Sequence, residues 1–339
     1  MAGLRILVVN AGSTSMKLSI VDEDDSSVAL PSLAEAPVDV AAVAHRVVHG
    51  GSRFREPVRI DEEVLARLRQ LAELAPLHNT PALEAIGEAR RQLPELPQVA
   101  VFDTAFHASI PEVAYTYAVP RSWREEWGIR RYGFHGLSVA WAAERVPVPR
   151  LVVCHLGGGC SVTAVLDGRS VDTTMGFSPL EGVPMATRSG TIDPEVLLYL
   201  QRHADAGPDE LEHVLEQESG LLALGGSARF EELEASPEPE AQLALAVFCY
   251  RVAGAVAAMT SALGGLDALV FTAGVGEGSA LVRERVCERV AFLGVELDPR
   301  ANRAAEPDAE LAGPSSRARV HVIRAREDVI AARAARSLV

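Results

Sequence analysis

Four short segments place a charged or titratable side chain beside glycine or within a turn-like run. They are residues 45–51 (H-R-V-V-H-G-G), 102–107 (F-D-T-A-F-H), 132–136 (Y-G-F-H-G) and 186–190 (A-T-R-S-G). Arg46 stands among apolar residues, and a guanidinium buried in such surroundings needs an anion to offset its desolvation. Asp103 directly follows a predicted strand, which is where open α/β sheets bind ligands. These residue types at these places indicate a site that handles anions.

Glycine-rich turns follow three predicted strands. Residues 10–15 (N-A-G-S-T-S) follow the strand 4–9, residues 157–159 (G-G-G) follow the strand 151–155, and residues 273–277 (A-G-V-G-E) follow the strand 268–272. A glycine leaves backbone amides accessible and lets a phosphate approach without a Cβ in the way. One such turn could be purely structural, but three together indicate a polyphosphate ligand.

The glycine-rich turns match neither of two common phosphate-binding motifs. The chain contains no G-x-x-x-x-G-K-[ST], so it has no P-loop. We predict that the glycines lie in β-hairpins and not at strand-to-helix turns, which argues against a dinucleotide fingerprint. Lys17 follows the first turn and is the only lysine among 32 lysine and arginine residues. It is a candidate for a role that a compact ammonium fills better than a guanidinium.

Composition limits the possible partners. The chain has 339 residues, enough for two domains, with 48% hydrophobic and 23% charged residues, which is typical of a globular protein. A net charge of −14 argues against nucleic acid as the main partner, because phosphate-backbone binding needs a cationic face.

Nothing in the sequence predicts export or a membrane anchor. The apolar start is only six residues long and is predicted as a strand, not a signal peptide. Residues 241–263 carry Gln242 and Arg251 and are predicted as a buried helix, not a membrane span. The four cysteines form no C-x-x-C pair, which fits reduced thiols and a cytoplasmic protein.

The elements that must position these residues alternate between strand and helix, which predicts an α/β protein. Helical periodicity appears in residues 62–74 and 81–93, and residues 98–102 form a strand. A unit of strand, glycine turn and strand occurs near the start of the chain and again at residues 151–165. This repeat predicts two related domains, residues 1–145 and 146–339, facing a shared cleft, with the chain end packing back on the first domain.

Taken in order, these segments resemble acetate and propionate kinases. Residues 10–17, 74–79, 155–159, 176–182 and 271–277 complete the resemblance, which runs from residue 4 to about residue 333. The combination of H-R-V-V-H-G-G, F-D-T-A-F-H and Y-G-F-H-G is highly specific. The resemblance implies two ribonuclease-H-like domains of the actin-like ATPase fold around a nucleotide cleft. The first domain would be shortened, since that family carries a longer segment between residues 21 and 45.

The same resemblance implies reversible phosphoryl transfer between ATP and acetate, with Mg²⁺ or Mn²⁺, and a role for each matching residue. The catalytic residues would be Asp103, His135, Arg188 and Arg46. The acyl substrate would contact Arg46, Val48, Leu77, Phe134 and Pro179. The nucleotide would contact Ser13, Ser15, Lys17, His155, Leu156, Gly157, Gly158, Gly159, Gly274, Val275, Gly276, Glu277 and Gly278. The metal would be positioned by Asn10 and Glu327.

This chemistry needs cations more than it needs a base. A carboxylate acceptor is already ionised at neutral pH, so the task is to bring two anions together and to stabilise a loose transition state. We therefore interpret Asp103 as a metal or orientation ligand more than a proton acceptor.

Three alternatives remain open at the level of sequence. Residues 227–230 (S-A-R-F) lack the usual spacing of the family's adenine contact, so the donor could be ATP, GTP or pyrophosphate. The acyl group could be acetyl, propionyl or butyryl. The chain could also be a catalytically weak nucleotide-binding homologue. The resemblance further implies a homodimer through the second domain, to which the helix 241–263 would contribute.

Overall fold

A computed structural model describes the chain except residues 1–3, 12–15 and 73–75, and at residues 76–78 it describes the backbone alone. The strands of the first half are β1 (Arg5–Ala11), β2 (Met16–Val21), β3 (Ser27–Leu30), β4 (Val40–Val47), β5 (Val58–Arg59) and β6 (Gln98–Phe102). Its helices are α1 (Glu62–Leu71), α2 (Pro76–Gln92), α3 (Glu112–Tyr115), α4 (Arg121–Glu126) and α5 (Gly136–Arg145). The predicted strand at residues 98–102 is confirmed, whereas α2 begins before the predicted start at residue 81.

The second half has the same alternation. Its strands are β7 (Arg150–Leu156), β8 (Cys160–Leu166), β9 (Arg169–Thr173), β10 (Ala268–Thr272), β11 (Ala309–Glu310) and β12 (Arg319–Val322). Its helices are α6 (Pro194–His203), α7 (Pro208–Gln217), α8 (Gly220–Gly225), α9 (Phe230–Ala235), α10 (Pro239–Leu263), α11 (Ala273–Gly278), α12 (Ala280–Arg289), α13 (Pro299–Arg303) and α14 (Glu327–Arg336). The predicted division after residue 145 falls between α5 and β7 and stays a prediction.

Two sheets form the framework of the described chain, and they are built alike. The first has the strand order β3-β2-β1-β4-β6-β5, and the second has the order β11-β12-β10-β7-β8-β9. In the first sheet an antiparallel hairpin, β1–β2, is followed by the parallel strand β4 beside β1. In the second, the hairpin β7–β8 is followed by the parallel strand β10 beside β7. The predicted repeat is therefore confirmed for the strand pairs, whereas the first glycine segment, residues 12–15, lies outside the described residues.

The third glycine-rich turn corrects the prediction that all three lie in hairpins. The chain leaves β10 and enters helix α11 directly at Ala273. Strand β10 is parallel to both of its neighbours, β7 and β12. A parallel strand cannot be joined to its neighbour by a tight hairpin, so the chain must leave the sheet through a crossover.

Helices α5 and α14 share a buried apolar cluster with both sheets. Val139 and Ala142 of α5 and Val329 and Ala332 of α14 are buried with Val8 and other residues of the two sheets. Helix α14 contacts β1, β4 and β6, although it follows β12 of the second sheet in the chain. The amino-terminal residue of α14, Glu327, is thereby delivered to the first sheet.

Helix α10 is the one helix in the described residues that is long and apolar enough to cross a membrane. It packs against β7, β8, α8 and α12, and half of the residues in its most apolar stretch of 18 are buried inside the protein. Such packing is typical of a core helix, as the sequence predicted.

Candidate active site

Arg46 lies at the carboxyl edge of the first sheet and contacts three polar side chains. Its Nε donates a hydrogen bond to Asp103 Oδ1 at 2.9 Å, and its Nη1 donates to Asn10 Oδ1 at 3.0 Å. Its Nη2 also bonds to Asp103, and its Nε lies 3.9 Å from Glu327 Oε2. We call Asn10, Arg46, Asp103 and Glu327 the Arg46 cluster.

Strand order explains how the Arg46 cluster forms. Strands β1 and β6 flank β4 and run parallel to it, so their carboxyl ends meet at one edge of the sheet. Asn10 and Arg46 lie near the ends of β1 and β4, and Asp103 directly follows β6. Glu327 arrives from the other end of the chain, and its Oε2 accepts a hydrogen bond from Asn10 Nδ2 at 3.3 Å.

The positive charge of Arg46 offsets the effect of burial on the two carboxylates of the Arg46 cluster. Burial raises the pKa of Asp103, and the Arg46 guanidinium acts against this rise. Burial would also raise the pKa of Glu327, but Arg46, His155 and Lys17 together hold it below its ordinary value. Protonation of Asp103 would weaken a two-pronged, charge-assisted contact with Arg46. Asp103 is therefore suited to orient the guanidinium.

His135 directly precedes α5 and is buried with an unusual backbone conformation. Its φ is +61°, in the left-handed region that non-glycine residues seldom adopt. The next residue must be glycine, because a Cβ at Gly136 would lie 2.1 Å from the carbonyl oxygen of Asp103. The Gly136 amide instead donates to that oxygen at 3.0 Å. The Y-G-F-H-G motif thus brings His135 and Asp103 together.

Two buried histidines stack on each other. The rings of His135 and His155 lie 4.0 Å apart between centroids, at 18° between planes. His135 Nδ1 is 3.0 Å from Ser161 Oγ, and His155 Nδ1 is 2.8 Å from Ser138 Oγ. Burial lowers the pKa of His155 to about 4 and holds the pKa of His135 well below its ordinary value. Both imidazoles are therefore neutral at neutral pH.

Arg188 approaches His135 from the second half of the chain. A Cβ at Gly159 would lie 3.1 Å from His135 Nε2 and 3.5 Å from Arg188 Nη1, so both side chains face this glycine. Arg188 Nη1 also donates to the Pro179 carbonyl at 3.4 Å, and its Nε lies 4.0 Å from Glu216 Oε2. Burial lowers the pKa of Arg188, and Glu216 opposes that shift.

Some residues around the site were not predicted from sequence. Glu216 lies in α7 among several other acidic residues, and no local pattern distinguishes it from them. Ser138 and Ser161 each contact one of the stacked histidines. Ser161 follows the G-G-G turn closely, and that proximity is a signal that could have identified it.

The predicted nucleotide residues of the second half meet at the ends of β7 and β10. His155 and Leu156 end β7, and Thr272 pairs with His155 in register. A Cβ at Gly157 would lie 3.5 Å from the Cβ of Ala273 and 3.9 Å from the Gly274 amide. The G-G-G turn (Gly157, Gly158 and Gly159) and helix α11 (with Gly274, Val275, Gly276, Glu277 and Gly278) are therefore neighbours. At Gly158, Gly274 and Gly278 a Cβ would meet nothing within 4 Å.

The predicted nucleotide residues of the first half are described only in part. Lys17 is the second residue of β2, pairs with Asn10 and is exposed. Its charge helps to hold the pKa of Glu327 low. Ser13 and Ser15 lie outside the described residues.

Two of the predicted acyl-binding residues lie in one buried apolar cluster. Val48 and Phe134 belong to the same buried cluster, and Pro179 is buried as well. The ring of His49 packs edge-on against Phe134, at 5.4 Å between centroids. The side chain of Leu77 lies outside the described residues.

The site provides some of the oxygen ligands that Mg²⁺ needs, but not a full coordination shell. Among the described residues, no group of three or more histidine, cysteine, aspartate and glutamate side chains could hold a metal by itself. Asn10, Asp103 and Glu327 provide amide and carboxylate oxygens around Arg46. Mg²⁺ in kinases is commonly held by one or two carboxylates together with phosphate oxygens and water. The residues fit an ion that arrives with a nucleotide.

The arrangement of sheets and cleft has counterparts among solved structures. A propionate kinase from Francisella tularensis superposes with a TM-score of 0.91 at 33% identity, covering 98% of each chain. An acetate kinase from Porphyromonas gingivalis superposes with a TM-score of 0.86 at 30% identity, covering 99% of this chain and 100% of the other. The fold is thus that of phosphotransferases built on the actin-like ATPase architecture, as predicted.

Sequence comparison defines the family. The sequence model of the Acetokinase family matches residues 31–333, and this chain belongs to that family. It is 47% identical over 311 residues to an acetate kinase of Gloeobacter violaceus, covering 88% of this chain and 76% of the relative. It is 43% identical over 312 residues to an acetate kinase of Carboxydothermus hydrogenoformans, covering 89% and 78%. The resemblance inferred from the motifs is confirmed.

Proposed function

We propose that this protein transfers a phosphoryl group reversibly between ATP and acetate, producing acetyl phosphate and ADP by direct in-line transfer. One observation carries the proposal: His135 and Arg188 both face Gly159 of the G-G-G turn, beside the Arg46 cluster. One cation, Arg188, and a neutral imidazole thus face a glycine-lined loop, and a second cation, Arg46, is close enough to lower the pKa of that imidazole. Anions are the ligands that this arrangement can bind, and the family's substrates are a carboxylate and a nucleotide.

The residues suit transfer to an ionised acceptor. Arg46 and Arg188 would offset the repulsion between the acceptor carboxylate and the phosphoryl group, and they are held in place before the reaction begins. His135 is neutral, so its Nε2 can donate a hydrogen bond to a phosphoryl oxygen when the Ser161 hydroxyl donates to Nδ1. Asp103 holds Arg46, and the acceptor needs no general base.

Mg²⁺, or Mn²⁺ in its place, would be held by Glu327 and Asn10, with Asp103 as a further carboxylate that contacts Arg46. When bound, the ion supplies positive charge that offsets the charge of the nucleotide phosphates. Lys17 would contact these phosphates, and the G-G-G turn and α11 would receive the nucleotide.

Formation of acetyl phosphate tests the proposal directly. Acetate, ATP and Mg²⁺ with hydroxylamine should yield acetyl hydroxamate, and EDTA should abolish the product. Replacing ATP by GTP or by pyrophosphate identifies the donor. Product with pyrophosphate alone would exclude ATP as the required donor, and absence of product with every donor would favour a binding protein without this activity.

Val48 is expected to limit the length of the acyl chain. Val48→Ala removes two methyl groups from the predicted pocket, so it should shift kcat/KM from acetate towards propionate or butyrate. A methylene in an apolar pocket is worth about 1–3 kcal/mol, so the shift should be roughly 10- to 200-fold at most. Steady-state rates with the three acids measure it.

A neighbouring valine provides the control for this prediction. Val47 is buried, like Val48, but belongs to a different apolar cluster, with Phe54 and Phe102. Val47→Ala should cost stability without changing the ratio of the three rates. Equal shifts in both variants would place Val48 outside the pocket.

The second half of the chain carries an apolar surface that supports the proposed homodimer. Tyr250 of α10 and Phe292 are 60% and 71% exposed and line a shared cleft of about 1110 Å³. Tyr199 and Leu198 of α6 are exposed as well. Large exposed apolar patches are typical of interaction sites. A second copy of this chain is the partner that we propose, and the cytoplasmic location stays a prediction.

Light scattering coupled to gel filtration tests the dimer. The wild-type protein should elute with twice the chain mass of 36.1 kDa. Tyr250→Arg combined with Phe292→Asp should produce a monomer, because it places unpaired charges in the proposed interface. Trp127 is equally exposed but lies in the first half of the chain, so Trp127→Arg is the control and should leave the dimer intact. A wild-type monomer would contradict the proposal.

A further inference from the structure

Arg283 is a fully buried cation on α12 that no catalytic role requires. Its Nε donates to Asn302 Oδ1 at 2.7 Å, and its Nη2 donates to the Asn302 carbonyl at 2.9 Å. Its Nη1 donates to the carbonyls of Gly276 and Glu277 at 2.9 and 2.7 Å. Burying a guanidinium is costly unless its donors are satisfied. Here Asn302 accepts from Nε and Nη2, and Nη1 is satisfied by the backbone of α11, the short helix proposed to receive the nucleotide.

The side chain of Glu277 extends from the same helix in another direction. Its Oε1 accepts a hydrogen bond from the Ala325 amide at 2.8 Å. Ala325 lies in the connection between β12 and α14, two residues before Glu327. The residue that caps α14, Arg326, makes no side-chain hydrogen bond to the amides of that helix. Glu277 thus fixes the segment that leads into the proposed metal ligand.

These contacts join two parts of the proposed site. Arg283 holds the backbone of Glu277, the Glu277 carboxylate holds Ala325, and Glu327 then contacts Asn10 and Arg46. The path begins under the nucleotide helix beside the second sheet and ends in the Arg46 cluster at the first. Its members are partly or fully buried, and hydrogen bonds of 2.7, 2.8 and 3.3 Å connect them, whereas Arg46 lies 3.9 Å from Glu327.

We propose that Arg283 and Glu277 are positioning residues that set Glu327 relative to helix α11, so that the metal ligand and the nucleotide loop are held in register. The inference rests on the proposed function. Breaking the path should therefore weaken the binding of nucleotide with Mg²⁺ more than the binding of nucleotide alone, because the path ends at the proposed metal ligand Glu327. A residue that only shaped the loop would weaken both equally.

Calorimetric titration with ADP, once with Mg²⁺ and once with EDTA, separates these effects. Glu277→Ala should weaken binding of ADP with Mg²⁺ about tenfold more than it weakens binding of ADP in EDTA, because any contact between Glu277 and the nucleotide itself would act in both titrations; a tenfold change is about 1.4 kcal/mol. Glu277→Gln keeps an acceptor oxygen and should remain within about threefold of wild type, since the bond to Ala325 can persist.

A neighbouring acid supplies the matched control. Asp308 Oδ1 accepts a hydrogen bond from the amide of Arg324, one residue before Ala325, and the Asp308 amide donates to the Val322 carbonyl, so these bonds do not involve α11. Asp308→Ala should therefore leave both affinities unchanged. An equal effect of Asp308→Ala and Glu277→Ala would show that the connection needs anchoring in general, and it would overturn the specific link to the nucleotide helix.

The role of Arg283 is tested by a double-mutant cycle. Arg283→Lys keeps the charge and loses the planar fork, which avoids removing a buried cation outright. If the two residues act along one path, the double variant Arg283→Lys/Glu277→Ala should bind ADP with Mg²⁺ more tightly than expected from multiplying the losses of affinity in the two single variants. Simple multiplication of the two effects would overturn the path.

ADP binding and acetyl phosphate formation by the wild-type protein distinguish a failure of the positioning role from a failure of the proposed function. A wild-type protein that neither binds ADP with Mg²⁺ nor forms acetyl phosphate contradicts both. A wild-type protein that does both while Glu277→Ala binds ADP as wild type, or loses affinity equally with and without Mg²⁺, contradicts the positioning role alone.

Discussion

Arg188→Ala is expected to lower the turnover of acetyl phosphate formation by about a hundredfold or more. A charge-assisted contact that strengthens in the transition state is worth about 3 kcal/mol, which corresponds to roughly that factor. Arg188 faces the same glycine as His135, so its guanidinium is placed where phosphoryl charge would develop. The hydroxamate assay under saturating acetate and ATP measures the effect.

The control for Arg188 is an arginine with no link to the cleft. Arg121 is largely exposed in α4 and pairs with Glu125 on the same helix. Surface ion pairs of this kind contribute little, so Arg121→Ala should keep wild-type turnover. Near-wild-type rates for Arg188→Ala as well would remove Arg188 from the mechanism.

Arg46→Ala is expected to lose both activity and stability. Turnover should fall at least about a hundredfold, for the same electrostatic reason as at Arg188. In addition, Asp103 is buried and would lose both of its bonds to Arg46. Removing one partner of a buried ion pair costs about 3–5 kcal/mol. Urea denaturation should therefore show a markedly lower free energy of unfolding than wild type.

The pH dependence of that loss follows from the pKa of Asp103. Burial already raises this pKa, and without Arg46 the opposing influence disappears. A carboxyl whose pKa is higher in the folded state than in the unfolded state stabilises the fold below the unfolded value, and this contribution is lost as pH rises through the folded value. The deficit of Arg46→Ala should therefore be smaller in mild acid than at neutral pH.

A double variant separates the two effects at Arg46. Arg46→Met combined with Asp103→Asn removes both charges while keeping side chains of similar size. Its free energy of unfolding should recover most of the loss, because replacing a whole buried ion pair is often nearly neutral. Its turnover should remain low. If the double variant is as unstable as Arg46→Ala, an unpaired Asp103 is not the cause.

Local sequence patterns were sufficient for the fold and the family. The alternation of strands and helices, the repeated hairpin at β1–β2 and β7–β8, and the buried α10 were all predicted and are confirmed. These features depend on periodicity and on residues close together in the chain, which a single sequence displays directly. The segments around Arg46, Asp103 and His135 were sufficient for the family because their combination is highly specific.

The ends of helices and strands and the types of turns were harder to predict from the sequence. The third glycine segment was assigned to a hairpin and is the start of α11, because glycine permits both and the choice depends on the parallel neighbours of β10. The roles of the individual site residues stay predictions, although the structure brings most of them together.

Contacts between distant residues were decided by tertiary structure alone. The order of β1, β4 and β6 places Asn10, Arg46 and Asp103 at one edge, and the packing of α14 on that sheet adds Glu327. Glu216 beside Arg188 and Glu277 beside Ala325 carry no local signal either. The physical reason is that periodicity determines which face of an element is buried, whereas the partners on that face depend on how the whole chain packs.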